Sequence, residues 1–272
     1  MTSPHGRFIW YELVTNDREA AAAFYSKVVG WGTRDASRPG MPYTLFTAGE
    51  GPVTGLLDLS EQARQMGVKP SWLGYVGVDD VDATADRFKE LGGAVHVRPQ
   101  DILNMSRFSI VADPQTSALA LFKWLKRGPE QPATLRMPGH VGWHELLADD
   151  SEKAWAFYRD VFGWQEEHTW SGPQGTYRVF SAGGQPIGGI FIRSPLMPVP
   201  LWLYYFNVGD INAAAQRVGA ASGQILKGPT EVPGGQWIVQ CMDPQGAVFA
   251  LLGDNGIGYF GPVPPPDANR PR

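Results

Sequence analysis

The stretch WYELVTNDREAAAAFYSKVVGW at residues 10–31 returns as WHELLADDSEKAWAFYRDVFGW at residues 143–164, an offset of 133. Twelve of the paired positions are identical, among them Trp10/Trp143, Glu12/Glu145, Asp17/Asp150, Phe24/Phe157, Tyr25/Tyr158 and Trp31/Trp164. A repeat of this size decides the architecture before any single element is assigned. The likeness continues: Tyr43–Gly49 matches Tyr177–Gly183, Pro52–Leu56 matches Pro186–Ile190, residues 71–83 match 201–213, and Asp113-Pro114-Gln115 matches Asp243-Pro244-Gln245. The chain therefore reads as one domain written twice, over residues 1–124 and 140–255. Residues 125–139, rich in Pro, Gly and charge, read as a linker, and residues 256–272 as a Pro-rich tail.

Each copy is itself twofold. FIWYELV reads as a strand, and in the AAAAFYSKVVG that follows, Ala21, Phe24, Tyr25 and Val28 fall at helical spacing on one face that ends at Gly30. The short runs YTLFTAG and GPVTGLLDL are β-rich and broken by Gly. The same order then restarts with strand WLGYVGV, helix VDATADRFKELGG, and strands AVHV, SRFSIVA and ALALFKW. Four βαβββ half-units follow from this reading, and the fold class is α+β.

Composition narrows the function. Of 272 residues, 43% are hydrophobic and 18% charged, which describes a globular chain with a sizeable core. The formal net charge of -4 provides no basic field, so nucleic acid is not an expected partner. No run approaches the ~20 apolar residues needed to cross a bilayer, and the N-terminus lacks the pattern of a signal peptide. Cys241, the single cysteine, can form no internal disulfide and supplies no thiolate cluster. A cytoplasmic protein with no membrane partner is expected, and a homodimer is compatible with all of this.

Helices that carry Phe24-Tyr25 and close on Gly30-Trp31, or Phe157-Tyr158 and Gly163-Trp164, together with the Asp-Pro-Gln turns, make the chain resemble the vicinal oxygen chelate superfamily. That superfamily includes glyoxalase I, bleomycin-resistance proteins and extradiol dioxygenases, and the likeness covers about residues 8–124 and 140–253. It implies two glyoxalase-like incomplete β-barrel cups. It also implies a divalent metal on the cup floor of catalytic members, held from the first and fourth strands of each half-unit. The matching positions here are Trp10, Gly55, Leu73 and Ala120, then Trp143, Gly189, Leu203 and Ala250. None offers the N, O or S donor that a divalent ion requires. His140 and His144, four residues apart on a strand, would stand roughly 13 Å from one another and cannot share an ion. No metal and no other cofactor is expected.

Strand alternation then says what lines each cup. Phe8, Trp10, Glu12 and Val14 share a face with the lost ligand position, as do Ser71, Leu73, Tyr75 and Gly77 on the equivalent strand. The second copy presents Val141, Trp143, Glu145 and Leu147, then Leu201, Leu203, Tyr205 and Asn207. Ile9, Leu13, Trp72 and Leu146 fall on the opposite, core-facing side. Glu12 and Glu145 are the candidate catalytic residues, because a carboxyl in an aromatic cup is desolvated and suited to proton transfer. Alternatively, each Glu and the Tyr of the second half-unit satisfy one another. Trp10, Trp143, Tyr75 and Tyr205 are candidate ligand-binding residues, the Trp pair as flat apolar walls. Asn104 and Arg107 are added for the first cup, because ILNMSRF stands there in place of VPGGQWI.

The expected function is metal-independent binding of a small apolar or aromatic molecule, in sequestration, resistance or a natural-product pathway. The alternative is an enzyme: a cofactor-free isomerase, lyase or cyclase with a cup Glu as base, or a metal-dependent glyoxalase or dioxygenase. The sequence leaves open which cup is accessible and whether half-units pair within a copy or between copies.

Overall fold

The computed structural model describes residues 4–103, 105–126, 137–173, 175–195 and 197–256. The first copy contains β1 (Phe8–Thr15), α1 (Arg18–Val29), β2 (Gly32–Asp35), β3 (Thr44–Ala48), β4 (Gly51–Asp58), α2 (Glu61–Gln65), β5 (Ser71–Gly77), α3 (Val81–Glu90), β6 (Ala94–Ile102), β7 (Ser106–Ala112) and β8 (Ala118–Trp124). The second contains β9 (Val141–Ala148), α4 (Ser151–Phe162), β10 (Gln165–Gly172), β11 (Gly175–Ala182), β12 (Gln185–Ile192), β13 (Leu201–Asp210), α5 (Ile211–Ala220), β14 (Gln224–Glu231), β15 (Trp237–Met242) and β16 (Val248–Asp254).

Each copy forms its own open eight-stranded sheet, in the orders β2-β3-β4-β1-β5-β8-β7-β6 and β10-β11-β12-β9-β13-β16-β15-β14. Half-units thus pair within a copy, through the antiparallel contacts β1–β5 and β9–β13. The first helix starts where Asp17 accepts a 2.9 Å hydrogen bond from the Ala20 backbone N–H and stops at Gly30, whose φ of 89° is the left-handed cap a side chain would resist.

The apolar face of α1, Ala21, Phe24, Tyr25 and Val28, is buried, and it meets both its own sheet and the other copy. Phe24 and Tyr25 meet Phe249 edge-on, and the Tyr25 hydroxyl donates to Asp243 at 3.0 Å. The second copy returns the contact, with Tyr158 donating to Asp113 at 3.0 Å. Trp31 and Trp164 donate to the carbonyls of Gly139 and Gly6, each at 2.7 Å. Gln245 brackets the backbone of Asp17 and Gln115 that of Asp150. One hydrophobic core, running from Phe8 to Leu251, therefore serves both copies and draws on helices and central strands of each.

At the centre of this pseudo-twofold arrangement Tyr11 faces His144, its own counterpart. Their hydroxyl and Nε2 lie 2.5 Å apart, and His144 Nδ1 lies 2.5 Å from the Ile187 carbonyl. A neutral imidazole protonated on Nδ1 satisfies both contacts, donating to the carbonyl and accepting from the phenol. Phe8 stacks on this imidazole at 4.1 Å, and burial pushes the His144 pKa down to about 4.

Strict alternation fails at two points. The β1–β5 register shifts between Phe8 and Trp10, so Phe8 enters the shared core and Ile9 joins the cup side. A shift between Tyr205 and Phe206 does the same for Val141, which also lies in the shared core rather than in a cup. A β-bulge inserts one residue and turns the following side chains over, and nothing in the apolar pattern of FIW or VGW announces it.

Candidate functional site

Each sheet carries a second, smaller apolar cluster on the face away from the shared core. In the first copy it comprises Ile9, Tyr75, Ala120 and Phe122, with Trp10, Leu73, Phe108 and Ile110 against them. In the second it comprises Leu147, Met197, Leu203, Tyr205, Ala250 and Leu252, with Trp143, Phe191, Leu201, Leu226, Ile238 and Val248. These are the two cups.

The floor of the first cup is a hydrogen-bonded set of four side chains. Tyr43 donates to one oxygen of Glu12 at 2.7 Å and Tyr75 donates to the other, while Trp10 Nε1 donates to the Tyr43 hydroxyl at 3.2 Å. The second floor repeats it: Tyr205 donates to Glu145 at 2.6 Å, Tyr177 also hydrogen-bonds Glu145, and Trp143 Nε1 donates to the Tyr177 hydroxyl at 2.9 Å. Gln240 adds contacts to Glu145 and to Tyr205 at 3.3 and 3.1 Å.

Burial pushes both carboxyls above the usual carboxylate range, and the phenol hydrogen bonds pull them partly back. The same burial, with the neighbouring carboxylate, holds Tyr43 and Tyr75 above their ordinary range, so they stay protonated and donate. Glu12 is thus a fixed acceptor with a phenol on each oxygen, and each oxygen keeps a further lone pair.

Trp10, Glu12, Tyr75, Trp143, Glu145 and Tyr205 are brought together as two matching sets. Arg107 is not part of either. Phe108 and Ile110 face the cup, so Arg107 takes the other face of β7 and forks onto Asp82 of α3 at 2.6 and 2.8 Å, with Asp101 at 2.7 Å. That alternation places Arg107 on the face away from Glu12 and the cup cluster. Asn104 lies outside the described residues. Tyr43 and Tyr177 are the members that strand-face reasoning misses, since they precede β3 and open β11 rather than lying on the two central strands. Their signal was present in the repeat, where Tyr matches Tyr.

Glycine explains why the Tyr fits. A Cβ at Gly55 would lie 2.0 Å from the Tyr43 hydroxyl oxygen, and one at Gly189 would lie 2.2 Å from that of Tyr177. The phenol occupies the space that a metal-ligating side chain from the fourth strand would enter. With Trp10, Leu73 and Ala120 at the other ligand positions, these residues do not fit a divalent ion. Among the described residues, no group of three or more His, Cys, Asp or Glu converges. Cys241 belongs to the shared core, where burial pushes its thiol up to about 12 and removes it from nucleophilic chemistry.

Gly55→Ala should expel the Tyr43 hydroxyl and leave a Glu12 oxygen short of a donor, at a cost of about 1–3 kcal/mol in urea unfolding. Combined with Tyr43→Ala, the substitution should cost much less than it does alone, because the clash has no partner. Additive costs in that double-mutant cycle would reject the steric account.

A doubled open sheet, each with a polar aromatic floor on its free face, defines a glyoxalase-type fold built in tandem. The chain belongs to the Glyoxalase/Bleomycin resistance protein/Dioxygenase superfamily, whose model matches residues 7–120 and 138–251. CFP32 of Mycobacterium tuberculosis, which bears the name of a glyoxylase, is 34% identical over 246 residues, 89% of this chain and 93% of its own. The anthracycline biosynthesis protein DauV of Streptomyces sp. strain C5 is 30% identical over 256 residues, 89% of this chain and 91% of its own. The Mn(II)-bound glyoxalase from Novosphingobium aromaticivorans shares the fold with a TM-score of 0.61 at 18% identity, covering 98% of this chain and 97% of that one. No helix among the described residues is long and apolar enough to cross a membrane.

Proposed function

We propose that the chain binds a small apolar or aromatic molecule in its cups without using a metal ion, in a sequestering or natural-product pathway role. The observation that carries this reading is the floor itself: protein phenols occupy both oxygens of Glu12, under a wall of Trp10 and Leu73. Such a floor is preorganised and needs no ion to complete it. The relative named for anthracycline biosynthesis supports an aromatic ligand, anthracyclines being flat polycyclic compounds. Residues 1–124 and 140–255 are proposed as the two glyoxalase-like domains, each presenting one cup.

Tryptophan fluorescence of chelator-dialysed protein, titrated with a library of aromatic compounds, tests this directly. Saturable quenching is expected in metal-free protein. Quenching that appears only after Mn, Ni, Zn or Fe is restored would overturn the reading, as would none at all.

A second reading, cofactor-free proton transfer, is favoured by one observation: Glu12 is half-buried rather than sealed, with its carboxyl pushed upward by burial. For any candidate substrate, Glu12→Gln should reduce turnover by about 10²-fold or more if the carboxyl is the base. Unchanged turnover in both Glu12→Gln and Glu145→Gln removes this reading.

A further inference from the structure

The duplication supplies an internal control, since two floors of the same composition carry different walls. Ile110 stands opposite Ala120 in the first cup, and Gln240 stands opposite Ala250 in the second. Phe108 beside Phe122 becomes Ile238 beside Leu252. Two residues further along the same face, Trp124 becomes Asp254.

The second cup takes in an extra side chain of its own. Met197 is buried with Leu147, Leu203, Tyr205 and Leu252, and Arg193 holds it, donating to the Met197 carbonyl at 2.6 Å and to Asp149 at 2.5 Å. Gln240 covers Glu145, and Lys227 stands near enough to favour its charged form. Leu203 is fully buried, whereas its counterpart Leu73 is half-buried. In the first copy the segment before β5 forms α2 instead, with Met66 74% exposed rather than inserted.

The first cup continues outward as an aromatic stripe. Phe122 packs with Tyr75 and Phe108, and the Trp124 ring meets Phe122 edge-on at 4.8 Å while remaining 38% exposed. Residues 120, 122 and 124 share one strand face, so the stripe runs roughly 13 Å beyond Ala120, longer than a single aromatic ring. Its inner end is Glu12, whose oxygens retain lone pairs for one more donor.

We propose that the first cup is the ligand-binding one, and that its ligand is a flat molecule of several fused aromatic rings with a phenolic hydroxyl at one end. The rings lie along Phe108, Phe122 and Trp124, and the hydroxyl donates to Glu12. This rests on the proposed binding function and assigns it to one cup.

The probe is 2-hydroxyanthraquinone, whose hydroxyl lies beyond reach of the ring carbonyls, with catechol as its single-ring control, titrated by calorimetry into the chelator-dialysed full chain. One site per chain is expected, with catechol weaker by about tenfold or more. Trp124→Asp and Ile110→Gln, which import the second cup's residues at positions that tolerate them there, should each weaken the probe by about tenfold. Gln240→Ile should leave its affinity unchanged. Two equal sites, or loss in Gln240→Ile with none in Trp124→Asp and Ile110→Gln, overturns the assignment while leaving the binding function intact. Catechol binding as tightly as the probe overturns the extended ligand. Absence of binding by both compounds overturns the assignment here, and the library titration then decides whether the binding function falls with it.

Discussion

Trp31→Ala is expected to lower the free energy of unfolding by about 3–5 kcal/mol, the largest effect of any single substitution considered. Trp31 is buried at the join between the copies, against Tyr25, Phe46, Trp72 and Phe206. Truncation opens a cavity that this ring cluster cannot fill without leaving its rotamers, and it strands the Gly139 carbonyl, which accepts from the indole at 2.7 Å. Trp31→Phe should cost less, since it keeps most of the apolar volume. Because Phe206 belongs to the second copy and Phe46 to the first, the loss should be felt by both. Urea unfolding followed by tryptophan fluorescence and by far-ultraviolet circular dichroism should give one coincident transition, shifted as a whole by the substitution. Two separated transitions, with only one displaced, would show that the shared core does not couple the copies.

Acidification should remove about 3 kcal/mol through His144 alone. Its imidazole is held at about 4 in the folded chain against about 6.5 for an exposed histidine, because protonation inside the core finds no water. The unfolded chain therefore binds this proton more tightly. The stabilisation is whole above pH ~6.5 and is lost as the pH falls toward ~4. The buried carboxyls work the other way. Glu12, Glu145, Asp113 and Asp243 are pushed above their ordinary values by burial, so their contribution is present in acid and is lost as the pH rises through the raised values. The measurement is the difference in unfolding free energy between wild type and His144→Gln across pH 7.5 to 4.5. A wild-type excess that shrinks with acid is expected, and a constant difference would refute the imidazole as its source.

The duplication, the half-unit order and the helix faces were all legible in the chain, because each rests on a spacing: an offset of 133 between copies, or the helical interval from Ala21 to Val28. What lay beyond reach was whatever depends on two distant segments meeting. Phe8 and Val141 read as cup residues until the bulges in β1–β5 and β9–β13 turned them into the core. Arg107 belongs to the ILNMSRF segment that stands in place of VPGGQWI, which suggests a polar contact in the first cup, yet its acidic partners Asp82 and Asp101 decide its direction. Glu12 and Tyr75 were foreseen as partners. The third member, Tyr43, arrives from outside the central strands and is admitted by the absence of a side chain at Gly55. A glycine at a ligand position reads as a loss in the sequence, whereas in three dimensions it is the space a phenol fills.

The reciprocal bonds from Tyr25 to Asp243 and from Tyr158 to Asp113 have the form of contacts between two identical subunits, in which residue i meets j and j meets i. Two identical subunits would set like against like at such an axis, Tyr facing Tyr or His facing His. Within one chain the two sides differ, and Tyr11 faces His144, a donor against an acceptor. The same freedom from symmetry separates Ile110 from Gln240, so a single chain holds both a matched axis and two cups with different contents.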